Sequence, residues 1–302
     1  MEKINTAIVG YGNIGRYVLE AIQEAPDFEL KGVIRRASSL TNQSTPLELN
    51  NTIVTADLNE LKEIDVAIIC APSREVPKFA REILSLGINT VDSYDIHTKI
   101  WELKEELEAI AKKNNATAII SAGWDPGSDS VVRGLFQAMA PKGITYTNFG
   151  PGMSMGHSTA VKSIQGVKNA LSLTIPVGTG VHRRMVYIEL EEGYPFDQIA
   201  TSIKNDPYFI HDETHVIQVK EVNKLMDMGH GVKMERKGVS GKTHNQLFEF
   251  QMKINNPALT AQIMVSAARA SLKQKPGCYT LIEIPVIDLL WGNKKELIKN
   301  LV

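Results

Sequence analysis

An apolar run, Ala7-Ile8-Val9, passes straight into Gly10-Tyr11-Gly12-Asn13-Ile14-Gly15. That combination reads as the turn between a parallel strand and a helix that cradles a dinucleotide. Gly10 permits the tight turn, Gly12 lets the backbone approach a pyrophosphate, and Gly15 lets the helix lie close on the sheet. The helix, Ile14 to about Ala25, aims its unsatisfied N–H groups and positive dipole end at the phosphates. A second strand, Phe28 to Ile34, ends at Arg35-Arg36, where an NAD-binding chain carries Asp or Glu for the ribose 2′-hydroxyl. Two guanidiniums at that place fit a 2′-phosphate and so favour NADP. A solvated strand end is the alternative reading of the same pair.

The 302 residues suffice for two domains of ordinary size. With 43% hydrophobic residues, 22% charged and a net charge of -1, the chain reads as globular. No basic stripe for nucleic acid is present, and no apolar run approaches the roughly 20 residues of a membrane span. Met1 to Asn5 lead directly into the first strand, which leaves no room for a targeting segment. Cys70 and Cys278 lie far apart at apolar strands and read as reduced core thiols, so the expected home is the cytoplasm. His211 and His215 have helix-like spacing but no evident third ligand, and no metal site is expected.

The first half alternates strand and helix. Further strands are expected near Thr52–Val54, Asp65–Cys70, Asn89–Val91 and Thr117–Ser121, with helices at about Val76–Leu86 and Lys99–Asn114. Such alternation predicts an α/β fold with a doubly wound parallel sheet whose ligands gather at the carboxyl ends of the strands. Those ends carry Gly10–Gly15, Arg35-Arg36, Cys70-Ala71-Pro72-Ser73, Asp92-Ser93-Tyr94-Asp95 and Gly123-Trp124-Asp125-Pro126-Gly127. Tyr11, Asn13, Ile14, Cys70, Pro72, Ser73, Asp92, Ser93 and Tyr94 thereby join the glycines and arginines as candidate cofactor contacts. Beyond Gly127 come a helix near Asp129–Met139, a strand at Ile144–Phe149, and period-two segments at Arg184–Leu190, His215–Val222 and Gln246–Ile254, with a helix at Phe196–Asn205. The expected organisation is a dinucleotide-binding domain over 1–120 and an α+β substrate and dimerisation domain over 121–256. Residues 257–302, a helix Leu259–Gln274 and a strand Tyr279–Ile284, return to the first.

The motifs at 9–16, 91–95, 123–127 and Gly150-Pro151-Gly152-Met153-Ser154-Met155-Gly156-His157 resemble those of meso-diaminopimelate dehydrogenases. So do Leu-Thr-Ile-Pro at 173–176, His-Arg-Arg at 182–184 and Thr-His-Asn at 243–245. The resemblance runs nearly end to end, and its block from 121 to 184 is far more specific than the glycine fingerprint. It implies NADP-dependent oxidative deamination of the D-centre of meso-2,6-diaminopimelate, giving L-2-amino-6-oxopimelate and ammonium. In reverse the reaction supplies diaminopimelate for lysine and cell-wall synthesis. It also implies a homodimer.

By this resemblance Asp95 and Asp125 contact the D-centre, where carboxylates can hold an ammonium and help remove its proton. Helix capping is the alternative for both. Trp124, Phe149, Met155, Gly156 and Asn256 would line the substrate site. Arg184, Thr174 and His244 would hold the L-centre carboxylate, the arginine through a bidentate fork. His157 and a closing loop around Met228-Gly229-His230-Gly231 are further candidates. The chain departs from longer members: Phe149 stands for a tryptophan, Met155 for a glutamine and Thr159 for an aspartate, and the segment from Pro176 to His182 is shorter. It therefore resembles a short-form branch with a more apolar pocket, where broader use of D-amino acids and 2-keto acids is an alternative. A different NADP-linked oxidoreductase and a non-catalytic NADP-sensing regulator also remain open at this level.

Overall fold

Strand–helix alternation in the first half produces a parallel sheet with helices on both faces. The computed structural model describes residues 3–42, 45–226 and 229–302. In chain order these form β1 (Ile4–Val9), α1 (Asn13–Glu24), β2 (Phe28–Ile34), α2 (Ala37–Asn42), β3 (Val54–Thr55), β4 (Val66–Ile69), α3 (Val76–Ser85), β5 (Asn89–Asp92), α4 (Ile100–Lys113), β6 (Thr117–Ile119) and α5 (Ser128–Met139). There follow β7 (Lys142–Phe149), β8 (Gly152–Met153), α6 (Met155–Lys162), β9 (Val167–Gly178), β10 (Val181–Leu190), α7 (Phe196–Asn205), β11 (Glu213–Gln218), β12 (Gly229–Ser240) and β13 (Thr243–Asn255). The chain closes with α8 (Asn256–Ser271), β14 (Gly277–Tyr279), α9 (Val286–Leu289) and α10 (Lys294–Leu301).

The chain divides into two compact units, Met1–Gly134 with Pro257–Val302, and Leu135–Asn256. The first division falls inside α5, downstream of the change of sequence pattern at residue 121.

In the first unit the strand order is β14-β6-β5-β4-β1-β2-β3, parallel throughout. The order reverses between β1 and β4, the switch point at which such sheets bind ligands. Ala7, Ile8, Ala67 and Ile68 are fully buried, as strands covered on both faces require. Gly15 is imposed by packing, since a Cβ there would lie 2.4 Å from the Gly10 carbonyl oxygen. Along α8, Ala261, Met264, Val265 and Ala268 fill one face of the sheet beside Ile8, Val18 and Val33. The expected strand Tyr279–Ile284 is instead the short β14 followed by a 3₁₀ turn at Leu281–Glu283. Thr280 and Glu283 form a reciprocal capping box, which ends the strand and starts the turn.

One buried ion pair ties the returning segment to the sheet. Arg269 Nε and Nη2 donate to the Asp27 carboxylate at 2.5 and 2.9 Å, and Nη1 donates to the Leu289 carbonyl at 2.9 Å. Its guanidinium lies 5.2 Å from the Phe28 ring. Arg269→Met leaves the half-buried Asp27 carboxylate without its partner and should cost up to about 3–5 kcal/mol. The denaturant midpoint checks this, with the slope of the transition unchanged.

The second unit carries two sheets. One has the order β11-β10-β9-β8, with β10 and β11 parallel and the other pairs antiparallel. The other, β13-β12-β7, is wholly antiparallel. Thr179 and Gly180, both at positive φ, make the two-residue turn from β9 to β10. That tight hairpin accounts for the short segment between Pro176 and His182.

Candidate active site

The ends of β1 and β2 in the first unit build the dinucleotide side. α1 begins after Gly12 with no side-chain cap and no acidic residue in its first turn. Its amide donors are therefore left for an anion. A Cβ on Gly12 would meet nothing within 4 Å, so the backbone lies open to a diphosphate. Gly10 has φ +95° and a Cβ there would lie 2.9 Å from the Cys70 carbonyl oxygen, so backbone geometry itself requires this glycine. Asn13 is exposed and Ile14 half-buried at the opening of the helix. Arg35 is half-buried, and its amide donates to the Thr55 carbonyl at 2.8 Å. Arg36 is exposed, with Nη2 2.7 Å from Glu75 Oε1. The Tyr11 hydroxyl donates to Glu48 at 3.2 Å, and burial together with that carboxylate pushes its pKa up to about 12. A glycine turn, an uncapped helix end and two arginines at the end of β2 fit a phosphorylated dinucleotide.

Three of the sequence-derived cofactor contacts behave differently from the rest. Pro72 is exposed, and Ser73 and Ser93 are half-buried at the strand ends. Asp92 is fully buried and does not face a ligand: Oδ1 accepts from the amides of Tyr94 at 2.9 Å and Ser121 at 3.1 Å. Burial raises its pKa to about 6. Tyr94 is only 4% exposed. Cys70 turns Sγ toward the Ile68 carbonyl, and burial pushes its thiol up. Asp92, Tyr94 and Cys70 therefore shape the strand ends from behind. Both cysteines are free thiols.

Beside these ends lie the two candidate carboxylates. Ser73 Oγ donates to Asp95 Oδ1 at 2.6 Å, which joins the loops after β4 and β5. Asp95 makes no helix cap; the 3₁₀ turn that follows begins after Ile96. Asp125 Oδ1 is 2.6 Å from Arg133 Nη2, and its side chain is 11% exposed. Gly127, at φ +143°, closes the turn so tightly on Gly123 that any side chain would collide with its carbonyl. Trp124 is only 5% exposed, which leaves little of the indole to face a substrate. Sequence reasoning passed over Arg133 and Asp129. Asp129 is fully buried, and burial, reinforced by Asp125, raises its carboxyl to about 7. Asp129 and Arg133, four residues apart on α5, were the available signal; Asp125 lies in the turn before that helix.

In the second unit β9 and β10 bring Thr174 opposite Arg184. Arg184 Nη1 donates to Thr174 Oγ1, and Nε donates to Asp212 Oδ2 at 2.6 Å. Around the guanidinium stand three histidines, all driven toward the neutral form by burial and then by the Arg184 charge. His182 Nε2 accepts from the Phe149 amide at 2.8 Å, with the two rings 5.7 Å apart. His230 lies in β12, 7% exposed, and titrates near 4. It is a strand residue and not part of a loop; Met228, like Met1 and Glu2, lies outside the described residues. His157 Nδ1 is 2.7 Å from Ser154 Oγ, and its ring packs edge-on against Tyr208 and Phe209, with its pKa lowered to about 3. Met155 packs with Met153, Leu171 and Val222, next to Gly156 at the start of α6. Asn256 opens α8, half-buried.

His244 is not where the sequence motif suggested. It is exposed beside the β12–β13 turn, where Ser240 pairs with Thr243. His230, which feels the Arg184 charge, pairs with Ile254 at the other end of this hairpin. Ten residues of extended strand, roughly 33 Å, separate His230 from Ser240. Gly152 pairs with Thr174, the strand partner of Arg184, and a Cβ on Gly152 would lie 2.8 Å from the His230 Cα, so the histidine brought to Arg184 is His230. His215 pairs with Glu213 at 2.7 Å in β11. Among the described residues no cluster of His, Cys, Asp or Glu could hold a metal ion, and no helix is long and apolar enough to cross a membrane.

Comparison with known proteins covers the whole chain. Residues 4–121 match the oxidoreductase family with an NAD-binding Rossmann fold, and residues 123–181 match the diaminopimelic acid dehydrogenase C-terminal domain. The chain is 66% identical over 302 residues to a meso-diaminopimelate D-dehydrogenase of Bacteroides fragilis, covering 100% of both. It is 37% identical to that of Lysinibacillus sphaericus, again over the full length of both. Its fold matches a C. glutamicum DAP dehydrogenase in complex with DAP at a TM-score of 0.87 and 28% identity, covering 100% of both chains. It also matches an engineered D-amino acid dehydrogenase bound to NADP⁺ at 0.85 and 28%, covering 99% of this chain and 100% of that one. With a Rossmann sheet, paired strand-end carboxylates and this full-length identity, the chain belongs to the meso-diaminopimelate D-dehydrogenase family.

Proposed function

We propose that this enzyme oxidatively deaminates the D-centre of meso-2,6-diaminopimelate with NADP, reversibly, releasing ammonium and L-2-amino-6-oxopimelate. The 66% full-length identity carries the reading. Asp95 and Asp125 are assigned to the ammonium at the D-centre. Only a neutral amine nitrogen can drive out a hydride, so one of these carboxylates, directly or through water, takes the proton first. The Ser73 hydroxyl and the Arg133 guanidinium hold the two carboxylates in place. Nicotinamide, when bound, supplies the hydride acceptor. Arg184 and Thr174 are assigned to the L-centre carboxylate. With Nε on Asp212 and Nη1 on Thr174, Arg184 Nη2 carries no acceptor among the described residues and is left to bond a carboxylate. His230 replaces His244 in this set. One ammonium released for each NADPH formed is the expected stoichiometry, and NADPH formation without ammonium would contradict it.

NADP rests on Arg35 and Arg36. Two charge-assisted contacts, each worth about 1.5–3 kcal/mol, would hold the 2′-phosphate. Replacing both with alanine should raise the Michaelis constant for NADP by about tenfold or more and leave NAD use nearly unchanged. Equal losses with both cofactors would return the pair to a structural role. A homodimer is supported by the β13-β12-β7 sheet, where Ile144 and Leu247, 58% and 60% exposed, flank Lys237 on one rung. Two free thiols support a cytoplasmic setting.

A further inference from the structure

Arg184 already has a carboxylate of its own. Asp212 Oδ2 lies 2.6 Å from Nε, with the two side chains 21% and 13% exposed. The turn after α7 fixes this aspartate: its amide donates to the Phe209 carbonyl at 2.9 Å, and its carbonyl accepts from Thr214 Oγ1 at 3.1 Å. Among the described residues the charge inventory around the guanidinium is short. His157, His182 and His230 are held neutral by burial. The neighbouring Glu213 is engaged with Arg183 and His215. Asp212 is thus the anion that balances Arg184 before any substrate arrives.

We propose that Asp212 is a specificity-determining positioning residue, the resident counter-ion of Arg184, and sets how strictly the enzyme demands a carboxylate at the far end of its substrate. The proposal rests on the assignment of Arg184 to that carboxylate. A substrate without the second carboxylate leaves Arg184 paired with Asp212, so its binding strands no charge. Remove the aspartate charge, and the same substrate seals a cation that has no partner. A substrate with the second carboxylate gains instead, because the anion that competed with it has gone. Both effects act in one direction: the aspartate broadens acceptance, and its neutralisation narrows it.

The test compares kcat/KM for meso-diaminopimelate and D-leucine in wild type and variants, with competitive inhibition by D-leucine where its turnover is too slow. Asp212→Asn should raise the ratio in favour of diaminopimelate by about tenfold or more, mainly through KM. Asp212→Ser should move it the same way, and Asp212→Glu should restore it. An unchanged or lowered ratio overturns the proposal. Equal losses for both substrates, or failure of the Asn and Ser variants to fold, overturn it too, since the pair then serves the fold. Arg184→Met separates the two readings. If it leaves the ratio untouched, the assignment of Arg184 fails; if it shifts the ratio while Asp212→Asn does not, the counter-ion role alone fails.

Discussion

Asp125→Asn is expected to lower turnover by about 10²-fold or more, with the melting temperature staying near that of wild type. The side chain is nearly isosteric, and its remaining carbonyl oxygen can still accept from Arg133, which is itself 30% exposed and can reach water. What the amide lacks is the negative charge that steadies an ammonium and the basicity to accept its proton. Asp95→Asn should act in the same sense, with Ser73 Oγ keeping an acceptor. Pre-steady-state measurement of NADPH formation places the loss in the chemical step. Near-normal turnover in both variants would reduce Asp125 to a partner for Arg133 and Asp95 to a tie between two loops.

Arg184→Met has its largest effect on selectivity. Methionine cannot donate the charged hydrogen bond that Arg184 offers a carboxylate. That bond is worth about 1.5–3 kcal/mol, or roughly ten- to a hundredfold in kcat/KM for diaminopimelate. D-Leucine has no second carboxylate to bond and should lose less, only what sealing the unpartnered Asp212 costs, so the ratio falls. Arg184 is assigned to the end of the substrate far from the reacting carbon, so the change falls on KM and not on kcat. Equal losses for the two substrates would assign Arg184 to the fold, through its bonds to Thr174 and Asp212.

Much of the first unit was legible because its constraints are local. Gly10 and Gly15 sit where backbone meets backbone, and any other residue collides, so the sequence there admits one reading. The positions of Asp95 and Asp125 followed from strand periodicity, since both come just after parallel strands. Their partners did not follow. Ser73 reaches Asp95 across 22 residues, a contact made by neighbouring strand ends and invisible to spacing. Asp92 stood among the candidate cofactor contacts, yet at the end of β5 it is fully buried, whereas Asp95, three residues on, is half-buried. His244 was misplaced because a short motif carries no register. The pairing of β12 with β13 puts the two histidines at opposite ends of the hairpin, and Gly152, which pairs with Thr174 opposite Arg184, lies against the His230 end. Asp212 went unnoticed for the related reason that the parallel pairing of β10 with β11, which sets Arg184 beside Thr214, crosses α7.

The most direct measurement is the initial rate of NADPH formation from NADP with meso-diaminopimelate, set against the L,L-isomer, homoserine and a blank. Rapid reduction is expected with the meso isomer alone among these, because only that isomer presents a D-configured amine together with a far carboxylate. Comparable rates with the L,L-isomer would contradict the assignment, as would no rate with the meso isomer from folded, NADP-binding protein.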